Sequence, residues 1–412
     1  MKELNYMANT GNYAQNNNYL CNKFNKTLNK LNVLEIIKSI PEVSRAEISR
    51  RTGLTKPTVS LIVDELINDR LVYETGVGES SSGRKPTMLN FNSKAYSVIG
   101  INFSPGTSLD IAEVDLGGNL LNVISIEQNL FLDPDSVLKI IKDSLKDFFM
   151  KEVSNPSNVL GIGVGLPGYI DRSNGLVKVM YNFGWKEVNF SEQLQKTFQL
   201  PVFIDNEANA LALAESIFGA GRKYNNFIYI DFSSGVGSGI IIEKKLYSGL
   251  NNRAGEVGHM IVDKSGPLCR CGKRGCLESH VAPYALKRKV DEILASGNKR
   301  GSLPSWADNS FSIAQVVKAA YQDDSMARRI LDECCEYLSI AISNLANIFS
   351  PEAVILGGDI SESDDIVFTA LRKYYRDYSL FDEDIDIIPT SLGKYAGVLS
   401  SASLVIQDFF SL

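Results

Sequence analysis

The sequence predicts an α/β protein in two parts: an N-terminal winged helix-turn-helix followed by a two-lobed body. Three observations carry this. Residues 31–68 hold three helical patterns with Gly53 between the second and third, and two β-runs follow around a serine-rich loop. From residue 93 onward, short apolar β-runs alternate with helical patterns, as in layered α/β folds. One β-opening also occurs twice, 129 residues apart, as Ile101-Asn-Phe-Ser-Pro-Gly106 and Ile230-Asp-Phe-Ser-Ser-Gly235.

Residues 1–30 contain nine asparagines and few aliphatic residues, which predicts a flexible lead-in. Val33, Leu34, Ile36, Ile37 and Ile40 then recur at helical spacing, and Pro41 ends that helix. Ser44 and Glu47 read as a capping box opening a short second helix that Gly53 closes. Thr55 caps the third helix, whose apolar face is Val59, Ile62, Val63, Leu66 and Ile67. In a helix-turn-helix the second helix of the pair presents its N-terminal residues to base edges, here Thr55, Lys56, Thr58 and Ser60. Ser44, Arg45, Arg50 and Arg51 fall where phosphate is met, and phosphate contacts position without specifying. Two β-runs flank the loop Gly76–Gly83, with Arg84 and Lys85 at its base, and read as a wing suited to backbone or minor-groove contact. A small helical subdomain with a solvated charged face is the plainer alternative, and the wing argues against it.

Bulk properties agree with this division. Residues 1–92 hold twelve Lys and Arg against nine Asp and Glu, and the rest of the chain holds 30 against 39. A mildly basic first segment on an acidic protein points to nucleic acid at one end. No run of 18 apolar residues and no apolar leader core is present, so neither a membrane span nor secretion is expected. Cysteines that read as metal ligands fit a reducing compartment, and the expected location is cytoplasmic.

The body is expected from residue 93. A hairpin turns at Gly117-Gly118, and Val137 to Met150 reads as an amphipathic helix. Val159 to Val164 reads as a buried strand, followed by the turn Gly165-Leu-Pro-Gly168. Val202 to Ile204 is another strand, ending in Asp205-Asn-Glu-Ala-Asn209 before a helix. Strand ends of this kind are where α/β folds bind ligands. One helix cap needs one such polar residue, and here four stand together. The densest chemistry lies between Glu256 and Glu278, where His259, Cys269, Cys271 and Cys276 fall within eighteen residues. Imidazole and thiolate in that mix suit a closed tetrahedral Zn²⁺ site, which is structural and not catalytic. A loop pinned in this way presents Glu256 and Glu278 to a polar ligand.

These motifs resemble the ROK family of sugar kinases and repressors, built on the two-lobed actin-like ATPase (ribonuclease H-like) sugar-kinase fold. The likeness runs from about residue 93 to the C-terminus. It is sharpest at Glu256-Val-Gly-His259 and Cys269-x-Cys271-Gly-x-x-Gly-Cys276-x-Glu278. The segment from Ser44 to Pro86 is similar to the winged helix of the family's repressor branch, of the xylose-repressor type. The resemblance implies a body of lobe one at about 93–208 with 390–412 and lobe two at about 209–389. It also implies a monosaccharide contacted by Gly168, Asn206, Glu207, Glu256, His259 and Glu278, and His259 would double as a zinc ligand.

Two departures from the family's kinases stand out. The phosphate turn, with its Asp and paired glycines, is replaced by Asn102-Phe-Ser-Pro-Gly-Thr107, and Glu207 stands where the kinases place their catalytic Asp. The expectation is therefore a sugar-responsive repressor of carbohydrate-utilisation genes, without enzymatic activity. It would bind palindromic operator DNA as a homodimer or homotetramer, with xylose or a related monosaccharide as effector. The alternative is an ATP-dependent sugar kinase with an accessory DNA-binding arm.

Overall fold

A computed structural model describes residues 26–77, 85–104, 108–127, 132–180, 183–295, 311–362, 365–381 and 385–410. The chain divides into two compact units. One comprises the residues up to Ser97 with Asp115–Asn119 and the C-terminal residues from Ile406, and the other comprises Val98–Val114 and Leu120–Val405.

The first unit opens with a helix at 26–39 (α1), then β1 (Val43–Ser44), α2 (Arg45–Thr52), α3 (Lys56–Asn68), β2 (Val72–Val77) and β3 (Thr87–Phe91). Ser44 accepts the Glu47 N–H through its side chain, and Thr55 does the same for Thr58 at the head of α3. Each satisfies an N–H that helix geometry leaves without a partner. Glu47 differs from the expected capping box, because its carboxylate turns to Arg50 and Arg51. The strands form one antiparallel sheet in the order β1-β3-β2. Val33, Ile37, Ile48, Val59, Val63, Leu66 and Leu89 are buried and form its core. The wing tip and Arg84 lie outside the described residues.

The second unit continues with β4 (Ser97–Ser104), β5 (Ser108–Asp115), β6 (Leu120–Glu127), α4 (Pro134–Lys151) and β7 (Val159–Leu166). A small sheet of β8 (Tyr169–Asp171), β9 (Leu176–Met180) and β10 (Trp185–Val188) precedes α5 (Phe190–Phe198), β11 (Val202–Asn206) and α6 (Glu207–Ile217). Then come β12 (Phe227–Phe232), β13 (Val236–Ile242), β14 (Lys245–Leu246), α7 (Glu278–Val281), α8 (Pro283–Ala295), α9 (Ile313–Tyr321) and α10 (Ser325–Phe349). The chain closes with β15 (Ala353–Gly358), α11 (Asp365–Tyr378), β16 (Asp386–Pro389) and α12 (Ala396–Phe409).

Two five-stranded sheets organise this unit, in the orders β6-β5-β4-β7-β11 and β14-β13-β12-β15-β16. The orders are equivalent strand for strand, so the repeat read in the sequence is a repeat of architecture. Each sheet has its own core: Ile99, Ile101, Leu145 and Ile162 in the first, and Ile230, Leu338, Val354 and Leu356 in the second. The main chain of α12 lies directly on Gly100 and Gly163 of the first sheet. Ser401 Oγ secures it there by donating to the Ile101 carbonyl at 2.6 Å and accepting the Gly165 N–H at 2.9 Å. Adjacent Cys334 and Cys335 are buried on α10. Among the described residues no helix is long and apolar enough to cross a membrane.

Candidate functional site

His259, Cys269, Cys271 and Cys276 converge, with their donor atoms all within 4.8 Å of one another. Cys271 Sγ lies 3.6 Å from Cys276 Sγ, and Cys269 Sγ lies 3.8 Å from His259 Nδ1. A tetrahedral cation with bonds of about 2.3 Å to sulfur would space two thiolates roughly 3.8 Å apart. The spacing therefore fits a metal centre, and these cysteines are free thiols. The loop is shaped by its own backbone: Cys269 N–H donates to the Lys273 carbonyl and Gly275 N–H to that of Pro267. Gly275 has φ +71, and a Cβ there would overlap the Asp263 carbonyl, so this turn requires glycine. Burial, aided by Cys271 and Cys269, pushes the Cys276 thiol up to about 12. A bound cation reverses that preference by stabilising the thiolate.

Glu278 follows at the head of α7. It accepts from the Val236 N–H at 3.2 Å and from the Tyr284 hydroxyl at 3.3 Å, and lies 4.0 Å from Cys269 Sγ. The cysteine loop is thereby tied to the first residue of β13. Tyr284 was missed in the sequence, where nothing sets it apart from other helical tyrosines.

A second polar group forms where the parallel strands β7 and β11 end side by side, with Asn206 paired to Leu166. Asn206 caps α6 by accepting the Ala208 N–H at 2.9 Å, and its Nδ2 donates to the Gly168 carbonyl at 2.9 Å. Gly168 has φ +106, and a Cβ there would stand 2.5 Å from the Val179 carbonyl. Asp205 is buried; it accepts from the Asn206 N–H and the Asn209 amide, with Arg172 3.6 Å away. The expected turn is shorter than the sequence suggested, because Gly165 and Leu166 still belong to β7.

Glu207 begins α6. Its accessible surface makes it half-buried, but its carboxyl sits where solvent is scarce. Burial, reinforced by the charge of Asp231, pushes that carboxyl up to about 8. Asp231, at the end of β12, is itself raised by burial and accepts a hydrogen bond from the Tyr229 hydroxyl. Glu256 and His259 are exposed beside the loop, and the Gly255 carbonyl accepts from Ser238 Oγ at 2.7 Å. The start of β13 is thus a shared wall: Val236 holds Glu278, Ser238 holds Gly255, and Gly237 packs on Ala208 of α6.

The residues expected at DNA divide differently from the sequence reading. Ser44, Thr55 and Thr58 spend hydroxyl groups on helix caps, with Thr55 Oγ1 and Thr58 Oγ1 2.8 Å apart. Arg45, expected at phosphate, bridges Asp64 of α3 at 3.0 Å and Glu74 of β2 at 2.9 Å. Arg50 and Arg51 both pair with Glu47. Lys56 and Lys85 are exposed, and Ser60 is half-buried.

Comparison with known proteins matches residues 106–408 to the ROK family model and residues 27–80 to the MarR family model. The chain is 35% identical to a xylose repressor of Bacillus spizizenii, covering 94% of this chain and 97% of that protein. It is 31% identical to a glucokinase of Thermotoga maritima, covering 75% of this chain and 96% of that one. A solved structure of a ROK family transcriptional regulator, homolog of the E. coli MLC protein, superposes with a TM-score of 0.81 at 28% identity, covering 93% of this chain and 96% of the other.

Proposed function

The chain belongs to the ROK family, and from that premise we propose that it is a sugar-responsive DNA-binding transcriptional repressor with xylose or a related monosaccharide as effector. The observation that carries this is the joining, in one chain, of a MarR-type winged helix-turn-helix to a body that matches the ROK family model. Repressor relatives match almost the whole chain, whereas the glucokinase match covers 75% of it.

In this reading the sugar meets Asn206, Glu207 and the Gly168 turn on one side, and Glu256, His259 and Glu278 on the other. Zn²⁺ held by His259, Cys269, Cys271 and Cys276 would fix the loop bearing those last residues, and its chemistry there is structural. A sugar shifts DNA affinity only through its differential affinity for two states of the protein. Paired copies would read two half-sites of a palindromic operator.

We further propose that sugar phosphorylation is lost. A carboxyl raised to about 8 favours its protonated form at neutral pH, which suits donation by Glu207 to a sugar oxygen. Asn102 donates to the Asp110 side chain at 3.1 Å, so the amide at this station is engaged beside the end of β4. The second reading, a kinase with a DNA-binding arm, is favoured by the likeness to the Thermotoga maritima glucokinase.

Anisotropy with a duplex enriched from a randomised pool, repeated across xylose, glucose and N-acetylglucosamine, tests the main reading. One sugar should change the affinity, and the absence of any enriched duplex would reject it. Turnover above background with ATP, Mg²⁺ and the same sugars would instead establish the kinase.

A further inference from the structure

The two faces of α3 carry different chemistry. Val59, Ile62, Val63 and Leu66 are buried, while Lys56, Pro57, Leu61 and Asp64 face solvent. Leu61 is 68% exposed, the most exposed large apolar side chain among the described residues before Ser97. A lone surface leucine is ordinary. This one stands one turn beyond Pro57 and next to Ser60, on the part of the helix that a helix-turn-helix lays against base edges.

Its neighbours narrow its role. The hydroxyls of Thr55 and Thr58 are occupied with each other at the cap. Asp64, three residues beyond Leu61, would repel phosphate, but Arg45 pairs with it at 3.0 Å and offsets that charge. The outward face near the head of α3 therefore offers a cation at Lys56, a hydroxyl at Ser60 and an apolar branch at Leu61. The major-groove edge of DNA carries one apolar group, the 5-methyl of thymine.

We infer that Leu61 is a specificity-determining residue that packs against thymine 5-methyl groups in each half-site. This rests on the DNA-binding reading above. It places a thymine preference at one or two neighbouring positions, independent of the hydrogen bonds made by Lys56 or Ser60.

The test uses the full chain without sugar and the duplex enriched from the randomised pool. Each thymine is replaced singly by uracil, which removes the methyl group and leaves base pairing intact. Wild type should lose about fourfold in affinity at the Leu61-facing thymine, roughly the effect of exposing one buried methyl group. L61A should bind the thymine and uracil duplexes alike, and L61M should keep the difference. Equal binding of wild type to every uracil duplex would overturn the inference, as would a methyl effect that persists in L61A. A change in the association state of L61A with its methyl effect retained would assign Leu61 to protein contact and overturn it as well. Failure to enrich any duplex would remove the DNA-binding reading itself, and this inference with it.

Discussion

Asn206 Nδ2 donates to the Gly168 carbonyl at 2.9 Å, joining the ends of two neighbouring parallel strands across 38 residues of sequence. The same side chain caps α6 through its Oδ1. Asn206→Ala removes both interactions, and loss of the cap alone costs about 1 kcal/mol. The variant should melt several degrees lower and lose at least tenfold in sugar response, while sugar-free DNA binding stays nearly unchanged. Paired melting and anisotropy measurements check this, and an unaltered sugar response would take Asn206 out of the site.

Metal content tests the loop. Protein purified without chelator should carry about one zinc per chain, and Cys271→Ser should lose it. Because Glu278 and His259 are placed by that loop, the variant should also bind sugar poorly. Full metal content in the variant would move the site elsewhere.

The carboxyl of Glu207 gives a pH signature. Its folded value of about 8 lies above the ordinary 4.5, so the stability it contributes is complete below the lower value and lost as pH rises through the upper one. Glu207→Gln should therefore flatten the fall in melting temperature between about pH 4.5 and pH 8. Parallel curves for the two proteins would show that Glu207 titrates as an exposed glutamate does.

Arg45 can be separated from a phosphate ligand by salt dependence. Removing a phosphate contact lowers the slope of log affinity against log salt by about 1. Arg45→Ala should weaken all duplexes together with the slope unchanged, because its guanidinium holds Asp64 and Glu74. Asp64→Asn added to Arg45→Ala should recover part of the loss, because it removes the charge left unpaired. A reduced slope in Arg45→Ala alone would restore the phosphate role.

The parts legible in the sequence were those written locally. Thr55, Pro57 and Gly53 mark the ends of α3 and α2 by short-range geometry, and the cysteine loop declares itself by density. What was hidden depends on partners far along the chain. β1 is two residues long and exists because Val43 and Ser44 pair with Leu89 and Met88. Arg45 looked free because its acceptors lie 19 and 29 residues away on other elements. Glu207 stands out in the sequence by its position, but its raised carboxyl depends on the fold setting it near Asp231 in a poorly hydrated place.

The equivalent strand orders of the two large sheets have an evolutionary corollary. Gene duplication is the economical account of such twins, and each half then serves as the other's internal control for drift. At the matched station in the opening strand, one half has Asp231 and the other Asn102. The acid on one side and its amide on the other show that the two halves now differ at this station. A lineage that lost one duty could thus rewrite a single twin and leave the scaffold of both intact.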